Sequence, residues 1–256
     1  MTLRMDSQPQ TPSSTRRPPK LAEVVARGIV KDIASARWKP GEKLPSEQVM
    51  RDRFQVGRGT LREALRILEI QGIVYLRPGP GGGPVVAADA VQDFGRMSSL
   101  HFEMRGVRYR ELMDARIAME PVMARLAAER VDDEVRRQLR EHLSTVEALD
   151  EDDAGQLDLW ADFHDLLGSL SGNGVLELFG ASLQDIYRER VVYRESFKVV
   201  RGVAKQTNSD HAEIAKAISD GNAARAERLT RLHMELHLLP RHRGLLGEVI
   251  TWDQAH

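Results

Sequence analysis

Gly41-Glu42-Lys43-Leu44-Pro45-Ser46-Glu47-Gln48, followed ten residues on by Arg58-Gly59-Thr60-Leu61-Arg62-Glu63-Ala64-Leu65-Arg66-Ile67-Leu68, decides how the first third of this chain folds. In the second stretch Leu61, Leu65 and Leu68 recur at helical spacing and share one face, while Arg58, Arg62 and Arg66 share another. A helix is predicted from about Arg58 to Gln71, with Gly72 as its C-terminal cap. A shorter helix is predicted to begin near Ser46, whose hydroxyl can cap it, with Val49, Met50 and Phe54 inward. Upstream, Leu21, Val24, Val25, Ile29 and Ile33 predict a first helix that Pro40-Gly41 stops. Downstream, Ile73 to Leu76 and Pro84 to Ala87 are extended runs around Arg77-Pro78-Gly79-Pro80-Gly81-Gly82-Gly83, which predicts a small hairpin with a flexible tip. Three helices and a hairpin describe a winged helix-turn-helix over residues 19–88. A phosphate-cradling loop is the competing reading of the glycines, but it needs a Lys and a Ser or Thr leading into a helix, and here Pro84, Val85 and Val86 continue as a strand.

A recognition helix needs an apolar face to seat it and a basic face to enter the major groove. Arg58 and Arg62, one turn apart at the helix start, can donate forked hydrogen bonds to guanine or clamp a phosphate, and Thr60 can meet a phosphate or a thymine methyl. Arg66, two turns along, reads equally as a surface residue. The formal net charge of -1 conceals the asymmetry that such a role requires. Between Arg16 and Arg77 the cations Arg16, Arg17, Lys20, Arg27, Lys31, Arg37, Lys39, Lys43, Arg51, Arg53, Arg58, Arg62, Arg66 and Arg77 face only Glu23, Asp32, Glu42, Glu47, Asp52, Glu63 and Glu69. The basic third suits phosphate and the remainder does not.

The 256 residues leave room for a second domain. Residues 1–18, rich in Pro, Ser, Thr and Gln, predict a disordered arm whose Arg16 and Arg17 can reach DNA. Residues 89–108 predict a linker with a short helix around Val91 to Met97. Helices are predicted at about 109–130, 133–149, 156–171, 174–198, 207–220 and 222–239, forming one helical domain over 109–245. The fold class is therefore mostly α, an N-terminal winged helix-turn-helix plus a C-terminal antiparallel α-helical bundle. No apolar run has the length of a membrane span and no secretory segment opens the chain, so the expected location is cytoplasmic, with no membrane partner. The absence of cysteine removes disulfides and thiolate metal sites, so any metal must use His and carboxylates.

Within the bundle His164 shares a stripe with Trp160 and Leu167, His211 with Ile214, Ala215 and Ile218, and His233 with Leu229, Leu232 and Leu236. Three inward histidines from three helices are either packed core residues or ligands converging on a divalent cation. Arg116 shares a face with Leu112, Met119 and Met123, and an inward Arg needs an anion. Glu120, one turn on, is the internal candidate. Asn173, in the break Gly172-Asn173-Gly174, reads first as a turn residue. His237, one turn beyond His233, is either a fourth ligand or a surface residue.

Two resemblances add to this reading. Gly41, Leu44, Pro45, Ser46, Glu47, then Arg58, Thr60, Leu61, Arg62, Glu63, Ala64, Leu65, Leu68, Gly72, Ile73 and the glycine-rich wing resemble the signature of GntR-type bacterial transcription regulators. The resemblance implies double-stranded DNA as partner, read as a short palindromic operator by a homodimer that in this family is usually a repressor. It implies DNA contacts from Arg58, Thr60, Arg62, Gln48 and, in the wing, Gly79. Gln48 stands where Arg is common, and Gly57 and Gly59 stand where the family usually has Ser and a second Ser or Thr, which implies the same docking with altered contacts.

Asp114-Ala115-Arg116-Ile117-Ala118-Met119-Glu120-Pro121, Phe163-His164 with Ser171-Gly172-Asn173, His211 with Ala217-Ile218, and His233 resemble the FCD-type ligand-sensing domain of the FadR-like branch. That resemblance implies a small organic acid or acyl effector received by Arg116, with Trp160 and Asn173 at the effector site, and a metal held by His164, His211 and His233. The family's Asp, four residues before the first His, is here Trp160, and neither Asp158 nor Asp162 shares the face of His164. Loss of the carboxylate favours zinc over a hard octahedral ion. The alternatives are a metal-dependent enzyme using the three histidines, for which no base or nucleophile motif is present, and a bundle that only dimerises.

Overall fold

The computed structural model describes residues 20–79, 81–88, 90–150, 155–189, 201–238 and 244–251. The predicted arm, with Arg16 and Arg17, lies outside them. The chain divides into two compact units, residues 1–88 and 89–256.

The first unit contains α1 (Leu21–Ala36), α2 (Glu47–Phe54), α3 (Arg58–Ile70), β1 (Val74–Arg77) and β2 (Gly83–Val86). Leu61, Ala64, Leu65 and Leu68 of α3 are buried against Ala22, Val25, Ala26 and Ile29 of α1, with Leu44, Met50 and Val74 closing the core. Each large aliphatic side chain so buried contributes roughly 1.5–3 kcal/mol. Ser46 caps α2 by accepting from the Val49 amide at 3.4 Å. Val49 departs from expectation and is 55% exposed. Met50 and Phe54, four apart, take the inner face, and the residue before Met50 is turned outward by the helical period.

β1 and β2 pair antiparallel from Val74 opposite Val86 to Arg77 opposite Gly83. The segment before α2 joins them: Leu44 N donates to Pro84 O and Val86 N to Glu42 O, both at 2.9 Å. The wing is thus tied to the turn that starts α2. At its tip Gly79 has φ +89°, and a Cβ on Gly82 would lie 2.2 Å from the Arg77 carbonyl oxygen, so both positions need glycine.

The second unit contains α4 (Ala90–Arg105), α5 (Tyr109–Glu129), α6 (Asp133–Glu147), α7 (Gly155–Leu170), α8 (Gly174–Arg188), α9 (Arg201–Ser219) and α10 (Ala223–Leu232). α10 continues as a π-helical turn over His233–Leu238, and a 3₁₀ turn follows at Leu245–Gly247. Most of the stretch 89–108, expected as a linker, is therefore helix. α4 lies on α8, where Phe94 and Phe179 meet edge to face at 5.4 Å. Its mixed pattern hides this because only a narrow stripe is covered. The domain also runs past residue 245: Leu246 and Ile250 are buried, and Ile250 N donates to Val107 O at 2.9 Å.

α5 is the helix around which the others assemble. It buries Leu112, Met113, Met123, Ala124, Ala127 and Ala128, and with them two charged residues, Arg116 and Glu120. Phe163 and Leu167 of α7 and Ile214 and Ile218 of α9 complete the main core. Pro121 sits inside α5 and removes one amide donor beside Glu120. No helix among the described residues is long and apolar enough to cross a membrane.

Candidate functional site

Two sites emerge, one exposed and one buried. On α3 the apolar residues face the domain, leaving Arg58 and Arg62 exposed and Thr60 half-buried at the start of the helix. Arg58 Nε is 4.0 Å from Glu47 Oε2, an exposed pair too weak to hold the guanidinium. Arg66 differs: its Nη1 lies 2.7 Å from Glu69, whose other oxygen accepts from the Leu76 amide at 3.3 Å. Glu69 thereby ties the helix to the wing, and Arg66 pairs with it from the exposed side. Gln48 is exposed on α2, donating to Asp52 at 2.9 Å and accepting from Arg51 at 3.2 Å. A Cβ on Gly57 or Gly59 would meet nothing within 4 Å, so the domain's own packing does not require either glycine.

In the bundle His164, His211 and His233 are all buried, and their ligand atoms lie within 4.8 Å of one another. α7, α9 and the π-helical turn supply one each. His211 Nε2 is 3.2 Å from His233 Nε2. His164 Nδ1 is hydrogen-bonded to Glu120 Oε2, and His233 Nδ1 to Asp210 Oδ2 at 2.9 Å. A carboxylate on Nδ1 fixes the ring and leaves Nε2 for the interior. Burial lowers His233 to about pH 4 even though Asp210 pulls the other way, so its imidazole is neutral near pH 7.

Glu120 links this cluster to Arg116. Its Oε1 accepts from Arg116 Nε at 2.7 Å while Oε2 meets His164, with both side chains of the ion pair at most 4% exposed. Burial opposes its ionisation, but Arg116 and His164 outweigh that and hold the carboxyl at about 2. The Arg116 guanidinium lies over the Tyr187 ring at 4.7 Å. Its Nη1 and Nη2 are buried and have no hydrogen-bond partner among the described residues.

Other expected residues fall elsewhere. Trp160 is buried, and its indole N–H donates to Asn208 Oδ1 at 2.7 Å. It offers no lone pair to a metal. Asn173 is exposed and caps α8, its Oδ1 accepting from Val175 and Leu176 at 3.1 and 3.3 Å. That is a turn role, and it corrects the placement of Asn173 at the effector site. The His237 side chain lies outside the described residues. Leu232 and Leu236, expected beside His233, are exposed: Leu232 is its immediate neighbour, about 100° round the helix, and for Leu236 the π-helical turn changes the phase of the face. Asp210 escaped the sequence reading since it neighbours His211 and gave no stripe of its own.

Comparison with known proteins joins the two sites. Residues 21–82 match the model of bacterial regulatory proteins of the gntR family, and residues 111–236 match the FCD domain. The chain belongs to the GntR family. It is a DNA-binding transcription regulator with an FCD domain, and so stands with regulators rather than metal-dependent enzymes. The regulator is 27% identical to the HTH-type transcriptional regulator Mce2R of Mycobacterium tuberculosis, over 87% of this chain and 91% of the relative. It is 28% identical to the HTH-type transcriptional repressor NanR of Klebsiella aerogenes, over 90% of each. Against the solved GntR of Streptococcus agalactiae the TM-score is 0.65 at 24% identity, covering 83% of this chain and 97% of that one. This last likeness supports the fold.

Proposed function

We propose that this GntR-family regulator is a homodimeric, cytoplasmic repressor whose hold on a short palindromic operator changes when a small carboxylate binds the bundle at Arg116. The observation that carries this reading is the buried guanidinium whose Nη1 and Nη2 have no partner among the described residues. An unmet buried donor costs about 1–3 kcal/mol, more when charged, and a carboxylate matches a forked guanidinium. Arg58, Arg62 and Thr60 contact the operator on this reading, with Gln48 and the wing around Gly79 beside them. Effector action requires that the acid bind the DNA-competent and incompetent arrangements with different affinity. Relatives that carry the name repressor support the sign.

The same reading gives His164, His211 and His233 a divalent metal, with zinc favoured. Ligand nitrogens in a tetrahedral zinc site with bonds of about 2.0–2.1 Å are about 3.3 Å apart, close to the 3.2 Å between His211 and His233. The Nδ1 carboxylates of Glu120 and Asp210 are the supporting groups such imidazoles use. Trp160 supplies no carboxylate, so three histidines and solvent or effector would complete the shell. When bound, the ion would supply a second positive charge for the effector carboxylate.

A mobility shift on the DNA flanking the regulator's own gene, repeated with a panel of carboxylic acids, tests the function. The expected result is a shift that one acid changes, and that Arg116→Ala keeps while losing the response. An acid response that survives Arg116→Ala overturns the site. Elemental analysis of protein purified without chelator, alongside His211→Ala, tests the metal.

A further inference from the structure

Gln184 of α8 is 2% exposed, yet neither its Nε2 nor its Oε1 has a hydrogen-bond partner among the described residues. A buried amide left unmet on both atoms is as unusual as an unmet guanidinium. Its place on α8 follows from its neighbours. Gly180 approaches Met123 of α5, and Tyr187 lies against Arg116 of the same helix. On the other side, the Glu177 backbone approaches Gly168 of α7, and Arg188 pairs with Asp162 and Asp165 of α7. At about 100° per residue, Gln184 falls between these two faces, toward the seam of α5 and α7. Along the axis it lies one turn after Gly180 and one before Tyr187, which is the level of Glu120 and Arg116 on α5. Glu120 bonds His164 of α7 across that seam.

We propose that Gln184 is a second ligand-reading residue of the bundle, and that the effector is a hydroxy acid whose carboxylate meets Arg116 and whose hydroxyl meets the Gln184 amide. This rests on the Arg116 reading and narrows it. An amide presents a donor and an acceptor, and a hydroxyl is the small group that answers both. A keto acid satisfies only Nε2. A saturated acid satisfies neither and leaves the amide as it is now. A site built with such a group rejects the analogue lacking its partner more strongly than an apolar pocket rejects a missing methylene.

The test uses the full-length protein and matched acids that differ by one hydroxyl: malate with succinate, glycerate with lactate and lactate with propionate, followed by calorimetry. The expected result is that one hydroxylated member binds about tenfold more tightly than its parent. Gln184→Met, of similar length and without hydrogen-bonding groups, should bring that ratio to about one, and the ligand-free variant should unfold no earlier than the wild type. A hydroxyl preference that survives Gln184→Met overturns the inference, as does a ligand-free variant that unfolds markedly earlier, which would mark the amide as structural. Equal binding of both members, lost in Arg116→Ala, keeps Arg116 and overturns Gln184 alone. If no acid of the panel binds at millimolar concentration, both readings fall.

Discussion

The DNA-reading unit and the bundle handle charge in opposite ways. In the first, Arg58 and Arg62 are exposed and Arg58 is only loosely paired, so their charge is available to a partner and adds almost nothing to stability. In the second, Arg116, Glu120 and three histidines are buried in a bonded cluster on α5, α7, α9 and the π-helical turn. Such groups hold one another in place, and removing Glu120 leaves the Arg116 charge stranded in the core. One region can therefore change its specificity by surface substitution at little structural cost, while the other can change its ligand only by rebuilding several residues together. Gly57, Gly59 and Gln48 on one side, and Trp160 bonded to Asn208 on the other, illustrate the two modes.

The contrast breaks most visibly at Glu120. Glu120→Ala strands the buried Arg116 and should destabilise the bundle by about 3–5 kcal/mol in urea unfolding followed by circular dichroism. A change no larger than that of a surface substitution would mean that the cluster is not a core element. Next comes acidity in metal-stripped protein. His233 titrates at about 4 in the fold against an ordinary 6.5, so as pH falls the unfolded chain takes up the proton first. Stability is complete above about 6.5 and is lost progressively down to about 4, on the order of 3 kcal/mol, and His233→Gln should flatten that profile.

On the exposed side the effects move from stability to binding. Arg58→Ala or Arg62→Ala should cost about 1–3 kcal/mol of operator affinity with unfolding unchanged within about 0.5 kcal/mol. Normal footprints from both variants would remove these residues from the interface. The smallest effect sharpens the comparison: Gly59→Ala adds a Cβ that meets nothing, so it should stabilise α3 by about 1 kcal/mol. If operator binding nonetheless weakens, the glycine serves the approach of DNA.

Much of the first unit was legible because its signals are local. The Arg58 to Leu68 periodicity, the Ser46 cap and the Gly79 and Gly82 turn each act within a few residues, and α2, α3 and the wing formed where they predicted. The bundle was legible as a set of helices and three inward histidines. It was less so where phase or packing intervened, as with α4, covered on one narrow stripe, and the π-helical turn that exposes Leu236.

By itself the sequence determined which ionisable side chains turn outward and which inward: the exposed arginines of α3, and the histidines and Arg116 that helical periodicity buried. Only the tertiary structure decided their connections. Glu120 joins Arg116 to His164, Asp210 steadies His233, Trp160 turns to Asn208, and Asn173 stays outside as a cap. The physical reason is range. A helix face is fixed by neighbours three and four residues away, whereas a buried hydrogen bond joins residues separated by tens of positions and is fixed by how the helices pack.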